Sequence, residues 1–298
     1  MENSLPVTEL PLKELDGFEN FPLPRILQRI HQENDLACKA VGNALPAIEK
    51  AIMMAFVQMK SGGRLLYYGA GTSGRLGVMD AAELPVTFGI TEGRIRAVLA
   101  GGPEAFCRAI EGSEDSEDAG RHAVLREQMG PRDLALGISA SGNTPFVVGA
   151  MHQAQEVGAK KIGLCCNPLG IILKIADVPI LLDTGPEVLA GSTRMKAATA
   201  QKMALTMFSS TLMLKLGYTF GPYMIGMKTH NAKLKMRAMR ILSEVASLDM
   251  ANAEEVLKQS GWDLKVALLM AKKGISQDDA KHLLASAQGS LKEILNGP

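Results

Sequence analysis

Gly69-Ala70-Gly71-Thr72-Ser73-Gly74-Arg75 follows directly on the β-rich run Arg64-Leu65-Leu66-Tyr67-Tyr68 and leads into a helix-compatible stretch. Small residues permit close backbone approach, hydroxyls donate to oxyanions, and a following helix N-terminus offers unpaired N–H groups. Four more β-rich runs lie downstream: Ile95-Arg96-Ala97-Val98-Leu99, Leu134-Ala135-Leu136-Gly137-Ile138, Lys161-Ile162-Gly163-Leu164-Cys165 and Val178-Pro179-Ile180-Leu181-Leu182. Helical segments separate them. This alternation predicts an α/β fold, a doubly wound parallel sheet of about five strands with right-handed crossovers.

A second loop, Ser139-Ala140-Ser141-Gly142-Asn143-Thr144-Pro145, leaves the third run with the same chemistry, and Pro145 suits the first turn of a helix. A ligand-free strand-to-helix turn would account for one such loop. Two hydroxyl-rich loops at the carboxyl ends of one sheet favour a bound phosphate. The expected contacts are Gly71, Thr72 and Ser73 from the first loop, with Ser139, Ser141, Gly142, Asn143 and Thr144 from the second. Gly69, Gly71 and Gly74 also satisfy a dinucleotide fingerprint, which wants an acidic residue at the end of the second strand to hold a ribose. That strand ends in Ala100-Gly101-Gly102, so a monophosphate is favoured.

Upstream, apolar residues at helical spacing after Pro24 predict a helical lead-in over residues 1–55. The sheet and its closing helices are expected over 56–245, including a long helix from Ser192 to about Leu216. A composition shift near 245 opens a three-helix module over 246–298, with Ser276 capping its last helix, Asp279 three positions on, and Trp262 as anchor. Arg194 and Lys196, behind Gly191-Ser192, stand at a predicted helix start and are candidates, with Ser192, for neutralising an anion.

A net charge of +1 gives no electrostatic reason to expect nucleic acid, and the basic run Lys228, Lys233, Lys235, Arg237, Arg240 has no aromatic residues interleaved. Apolar runs stop short of a bilayer crossing, so no membrane partner is expected. The opening Met1-Glu2-Asn3-Ser4-Leu5-Pro6 lacks a signal-peptide pattern, which predicts a cytoplasmic protein. Cys38, Cys107, Cys165 and Cys166 then read as reduced core residues, the last two on opposite faces of a strand.

Both loops resemble those of the sugar isomerase, or SIS, domain, a phosphosugar-binding fold. The likeness is closer to one branch, the N-acetylmuramic acid 6-phosphate etherases. It rests on Gly69 to Gly77, Asp80-Ala81-Ala82-Glu83, Glu111 to Ser116, Gly191 to Lys196 followed by Thr199 to Lys202, and Asn231 to Arg237. The C-terminal helices are similar to that family's ubiquitin-associated-like module. The resemblance implies cleavage of the D-lactyl ether of a sugar phosphate, in cell-wall recycling, without metal or organic cofactor. It implies Glu83 as proton donor and Glu114 as the second acid/base group. Read from the residues alone, Glu114 belongs to an acidic, solvated helix start. Glu83, two residues before Pro85, is expected in the last turn of its helix, where the dipole favours the protonated acid. A helix rising about 1.5 Å per residue carries Glu83 away from its own phosphate loop, which predicts a homodimer with a shared site.

The chain departs from the family pattern in three places. Leu10-Pro11-Leu12-Lys13 follows Thr8-Glu9, Asn143 stands where arginine is common, and Val86 follows Pro85 where a second proline is usual. A non-catalytic sugar-phosphate regulator and an aldose–ketose isomerase are the alternatives.

Overall fold

The computed structural model describes residues 5–287 and 291–295; Met1 to Ser4, and part of the region read as the last C-terminal helix, lie outside them. Two compact units emerge, one of residues 1–81 with 93–209 and the other of 82–92 with 210–298.

The first unit begins with short 3-10 turns and then α1 (Leu23–Asn43) and α2 (Leu45–Lys60), each started by prolines whose missing N–H costs nothing in a first turn. On α2, Ile48, Ala51, Ile52, Ala55 and Met59 make the buried stripe that helical periodicity requires. The sheet follows as β1 (Leu65–Gly69), α3 (Gly71–Phe88), β2 (Ile95–Leu99), α4 (Glu117–Arg126), β3 (Leu134–Ile138), α5 (Pro145–Glu156), β4 (Lys160–Cys165), α6 (Ile171–Ile175), β5 (Val178–Leu181) and α7 (Lys196–Lys215). All five strands coincide with the predicted runs to within a residue or two.

The strands are parallel, in the order β2-β1-β3-β4-β5. Central strands β1 and β3 are buried throughout. Pro179, which has no N–H for a ladder, sits on edge strand β5. Leu66, Tyr68 and Ala135 pack with α4, α5 and α6, while Tyr67 on the opposite face donates to Asp80 Oδ2 at 2.9 Å. Asp80 Oδ1 accepts from Ser209 on α7 at 2.9 Å, so one buried carboxylate ties β1, α3 and α7 together. Burial and that carboxylate push the Tyr67 phenol well above its ordinary range.

Cys165 lies in the α4–α6 core, and Cys166 Sγ points to Ala197 O on α7, so the pair divides between faces as expected. Cys38 and Cys107, expected in the core, are exposed. On α1 the buried stripe is Glu33, Ala37, Ala40 and Val41, which leaves position 38 facing solvent.

In the second unit, strands β6 (Thr219–Phe220) and β7 (Tyr223–Met224) form a hairpin before α8 (Ala232–Ala246), α9 (Met250–Gln259), α10 (Leu264–Lys273), α11 (Gln277–Ser286) and the short α12 (Leu291–Leu295). Ser276 Oγ accepts from Asp279 N at 3.2 Å, the cap its sequence position predicts. Residue 245 is not the edge of this unit. Ile225, Met227, Ala238, Ile241 and Leu242 share one core with Leu257, Leu268 and Leu269, so α8 and the hairpin join the C-terminal helices. Trp262 is only half-buried against that core.

Helices α4 and α5 cross with their backbones touching. A Cβ on Gly149 would lie 2.0 Å from Glu117 O, and one on Gly120 would lie 1.9 Å from Phe146 O. Gly149→Ala must spread this crossing; we expect a loss of about 1–3 kcal/mol in urea unfolding, and an unchanged midpoint would contradict the contact.

Candidate functional site

The strand order reverses between β1 and β3. The chain runs from β1 outward to β2 and then returns to the other side, which opens a crevice at the carboxyl ends of the two central strands. Gly69 pairs in register with Ile138, so both hydroxyl-rich loops leave the sheet at one level from neighbouring strands. Neighbouring strands lie about 4.8 Å apart. The two loops therefore face one small volume.

The first loop turns tightly because a Cβ on Gly69 would meet Gly74 Cα at 2.6 Å, and one on Gly74 would meet Gly69 C at 2.7 Å. Gly71 is exposed at the start of α3, and Thr72 is half-buried with no side-chain hydrogen bond to another described residue. Ser73 is different. It is buried, and its Oγ donates to Gln201 Oε1 on α7 at 2.8 Å, so this hydroxyl holds the loop to α7 instead of facing the crevice. Gln201 is fully buried and leaves its Nε2 without a partner among the described residues.

The second loop is organised by its own hydroxyls. Ser139 Oγ, buried, lies 2.7 Å from Thr144 Oγ1 and 3.3 Å from Ser141 Oγ, and accepts from Gly142 N at 3.0 Å. Ser141 Oγ accepts from Asn143 N, and Asn143 Oδ1 accepts from Ile171 N at 2.9 Å, which clips the loop to α6. Asn167, which the sequence reading did not select, is buried and donates from Nδ2 to Ser141 O at 2.9 Å. Its signal was its position just beyond strand β4, a third strand exit. Ser141 and Thr144 are half-buried and border the crevice with Thr72.

Glu114 comes to both loops. Its carbonyl accepts from Phe146 N at 3.0 Å, at the start of α5, and its Oε2 lies 3.9 Å from the point a Cβ on Gly71 would occupy. The side chain is exposed, and no hydrogen bond or ion pair to another described residue engages its carboxylate. The α4–α5 crossing fixes the segment that carries it. An unengaged carboxylate beside a hydroxyl-rich loop can accept or deliver a proton at a bound ligand.

Glu83 is exposed on α3 and belongs to the second unit. The helix does not end beside it. It continues through Pro85 to Phe88, because proline inside a helix removes one hydrogen bond without necessarily stopping the coil. The helix-end argument for Glu83 therefore falls, since the dipole acts within the last turn.

Helix α7 begins at Lys196, four residues later than expected from Ser192. Glu187 sets this start, its two carboxylate oxygens accepting from Lys196 N at 3.3 Å and Ala197 N at 2.9 Å. Gly191 to Met195 form a turn before it, with Ser192 half-buried and Arg194 exposed. Lys196 does not reach solvent: its Nζ is paired with the Glu33 carboxylate on α1, both groups buried. It cannot serve as a phosphate cation in this arrangement. Arg194 is the remaining positive charge of that segment.

Comparisons with known proteins accord with this layout. Residues 47–155 match the family model for the glucokinase regulatory protein N-terminal SIS domain, and residues 111–210 match the SIS domain. N-acetylmuramic acid 6-phosphate etherase of Salmonella schwarzengrund (strain CVM19633) is 41% identical over 289 residues, 97% of each chain. Among solved structures, a protein assigned as a phosphosugar isomerase involved in capsule formation, from Bacteroides fragilis NCTC 9343, aligns with a TM-score of 0.53 at 21% identity. That alignment covers 71% of this chain and 99% of the other. A phosphoheptose isomerase from Francisella tularensis aligns with a TM-score of 0.51 at 16% identity, over 64% and 98%. At these identities the two structures speak to the fold alone.

Cys165 lies under the second loop, its Sγ 3.0 Å from where a Cβ on Gly142 would stand, and burial pushes its thiol up to about 11. Cys166 is raised further by the same cause. Alkylation of the native protein at pH 8 should label Cys38 and Cys107 and spare the buried pair. Mass spectrometry of peptides reads this directly, and rapid labelling of Cys165 would mean the loop is not closed over it.

Proposed function

The chain belongs to the N-acetylmuramic acid 6-phosphate etherases, and from that premise we propose that it cleaves the D-lactyl ether of N-acetylmuramic acid 6-phosphate to N-acetylglucosamine 6-phosphate and D-lactate. It is an enzyme acting on a sugar phosphate; the finer reading is a carbon–oxygen lyase working by elimination followed by addition of water. The observation that carries this reading is the Glu114 carboxylate standing at Gly71 while its backbone is bonded to the start of α5. That arrangement supports a proton-transfer role for Glu114 at a sugar held by its phosphate.

The chemistry sets what the residues must do. An unactivated ether at C3 leaves only if the C2 proton is first made acidic, which the C1 aldehyde of the open-chain sugar does. One group removes the C2 proton, and the electron pair forms the C2–C3 double bond. The C3–O bond breaks, and the departing lactate oxygen takes a proton from a second group. Water then adds at C3 and a proton returns to C2. Two carboxyl groups in opposite protonation states can carry these transfers. We assign Glu83 as the donor to the lactate oxygen and Glu114 as the acid/base at C2.

The phosphate is assigned to the loop amides with Thr72, Ser141 and Thr144, in a cradle built by Gly71, Ser73, Ser139, Gly142 and Asn143. Ser192 and Arg194 are assigned to the substrate's second anion, the lactyl carboxylate. In this reading the enzyme is a cytoplasmic homodimer, with Glu83 and the loops of one site drawn from different subunits. The rise of α3 motivates that last assignment, since twelve residues of helix separate Gly71 from Glu83, roughly 18 Å.

Lactate release from N-acetylmuramic acid 6-phosphate should fall by about 10²-fold or more in Glu83→Gln and in Glu114→Gln. Product formed in deuterated, 18O-labelled water should carry deuterium at C2 and label at C3. A ketose phosphate as product would establish an isomerase instead, and sugar-phosphate binding without turnover a regulator. Mixed inactive Glu83→Gln and Glu114→Gln subunits should regain activity after exchange; no recovery would count against the shared site.

A further inference from the structure

Four charged side chains meet inside the first unit, around the start of α7. Lys196 Nζ pairs with Glu33, and Arg29 Nη2 lies 2.7 Å from Glu33 Oε1 one helical turn away. Glu187 holds the Lys196 and Ala197 amides. The exposures of Glu33, Glu187 and Lys196 are 4%, 1% and 2%. Two positive and two negative groups balance. Burial dominates at Glu187, raising its carboxyl against the lowering pull of those amides and of Lys196. A buried ion pair is weak evidence for net stability, because apolar residues of similar volume often serve as well. What it supplies is a fixed position.

The position it fixes is that of the turn Gly191 to Met195. At one end of the turn Gly191 N donates to Thr8 O at 2.9 Å, and the fully buried Thr8 holds the N-terminal segment there. At the other end Lys196 is held by Glu33. Five residues further along α7, Gln201 takes the Ser73 hydroxyl of the first phosphate loop. Thr8 and Glu33 thus grip the two ends of the turn, and α7 transmits that placement to the loop.

We propose that Glu33 is a positioning residue for substrate binding. Through its buried pair with Lys196 it sets the turn carrying Ser192 and Arg194 at the distance from the first phosphate loop that a doubly anionic sugar requires. This rests on the reading of Ser192 and Arg194 given above.

Two variants test it. Glu33→Gln keeps the volume and removes the charge, and the double variant Glu33→Leu/Lys196→Met replaces the pair by apolar groups so that neither charge is stranded. Steady-state turnover of N-acetylmuramic acid 6-phosphate is measured beside thermal unfolding and calorimetric binding of the same doubly anionic sugar in a Glu83→Gln background that does not turn it over. We expect KM and the substrate's Kd to rise about tenfold or more in both variants, with kcat within about threefold of the wild type. The melting temperature of the double variant should return to within a few degrees of the wild type. A double variant with wild-type stability, KM and Kd would overturn the proposal, leaving the pair a packing element. Wild-type protein that binds the sugar phosphate but releases no lactate would instead remove the etherase reading, while weakened binding in both variants would still support the role of Glu33.

Discussion

The turn out of β1 admits no side chain at Gly69 or Gly74, and the candidate site depends on it. With the two backbones in contact, the helix after β1 starts immediately above the strand end, and its first amides stand level with the loop that leaves β3. Any Cβ at either position would lift α3 from the sheet. It would also disturb Asp80, whose bonds to Tyr67 and Ser209 hold α3 between β1 and α7. The glycines permit the geometry and the buried carboxylate locks it.

Glu114 depends on a second close contact of the same type. Its segment is loop, yet it is anchored because α4 and α5 cross at Gly120 and Gly149 with the separation of bare backbones. The amide of Phe146, at the start of α5, then reaches the Glu114 carbonyl. An exposed side chain can therefore occupy a defined place without a side-chain partner. Preorganisation here comes from the backbone beneath it.

Period and turn chemistry made the five strands and the two loops legible, because those signals are local. What escaped notice was set by distant contacts. Pro85 signals a stop along the chain, yet α3 continues through it to Phe88, with Leu84 and Phe88 buried. Ser192 is a good cap for α7 by composition, whereas Glu187, nine residues before Lys196, provides the cap. Ser73 and Lys196 had the right chemistry for an anion. Each is engaged inside the protein instead, by residues 128 and 163 positions away. No pattern along the chain announces such partners. Glu114 was distinguishable from its acidic neighbours only by family resemblance, since the proximity that singles it out is to Gly71, more than forty residues earlier.

The ion pair between Glu33 and Lys196 also has a consequence for synthesis. Its partners are 163 residues apart in the chain. At roughly 5–20 residues per second, Glu33 is polymerised about 8–30 s before Lys196. During that interval α1 carries a carboxylate on the stripe that will become its buried face, with Arg29 one turn away as its cation. The apolar residues Ala37, Ala40 and Val41 share that stripe. A charge of this kind keeps the emerging helix hydrated, and makes it a poor template for premature association, until the last helix of the unit arrives to neutralise it. The N-terminal helix is thus made first and sealed last.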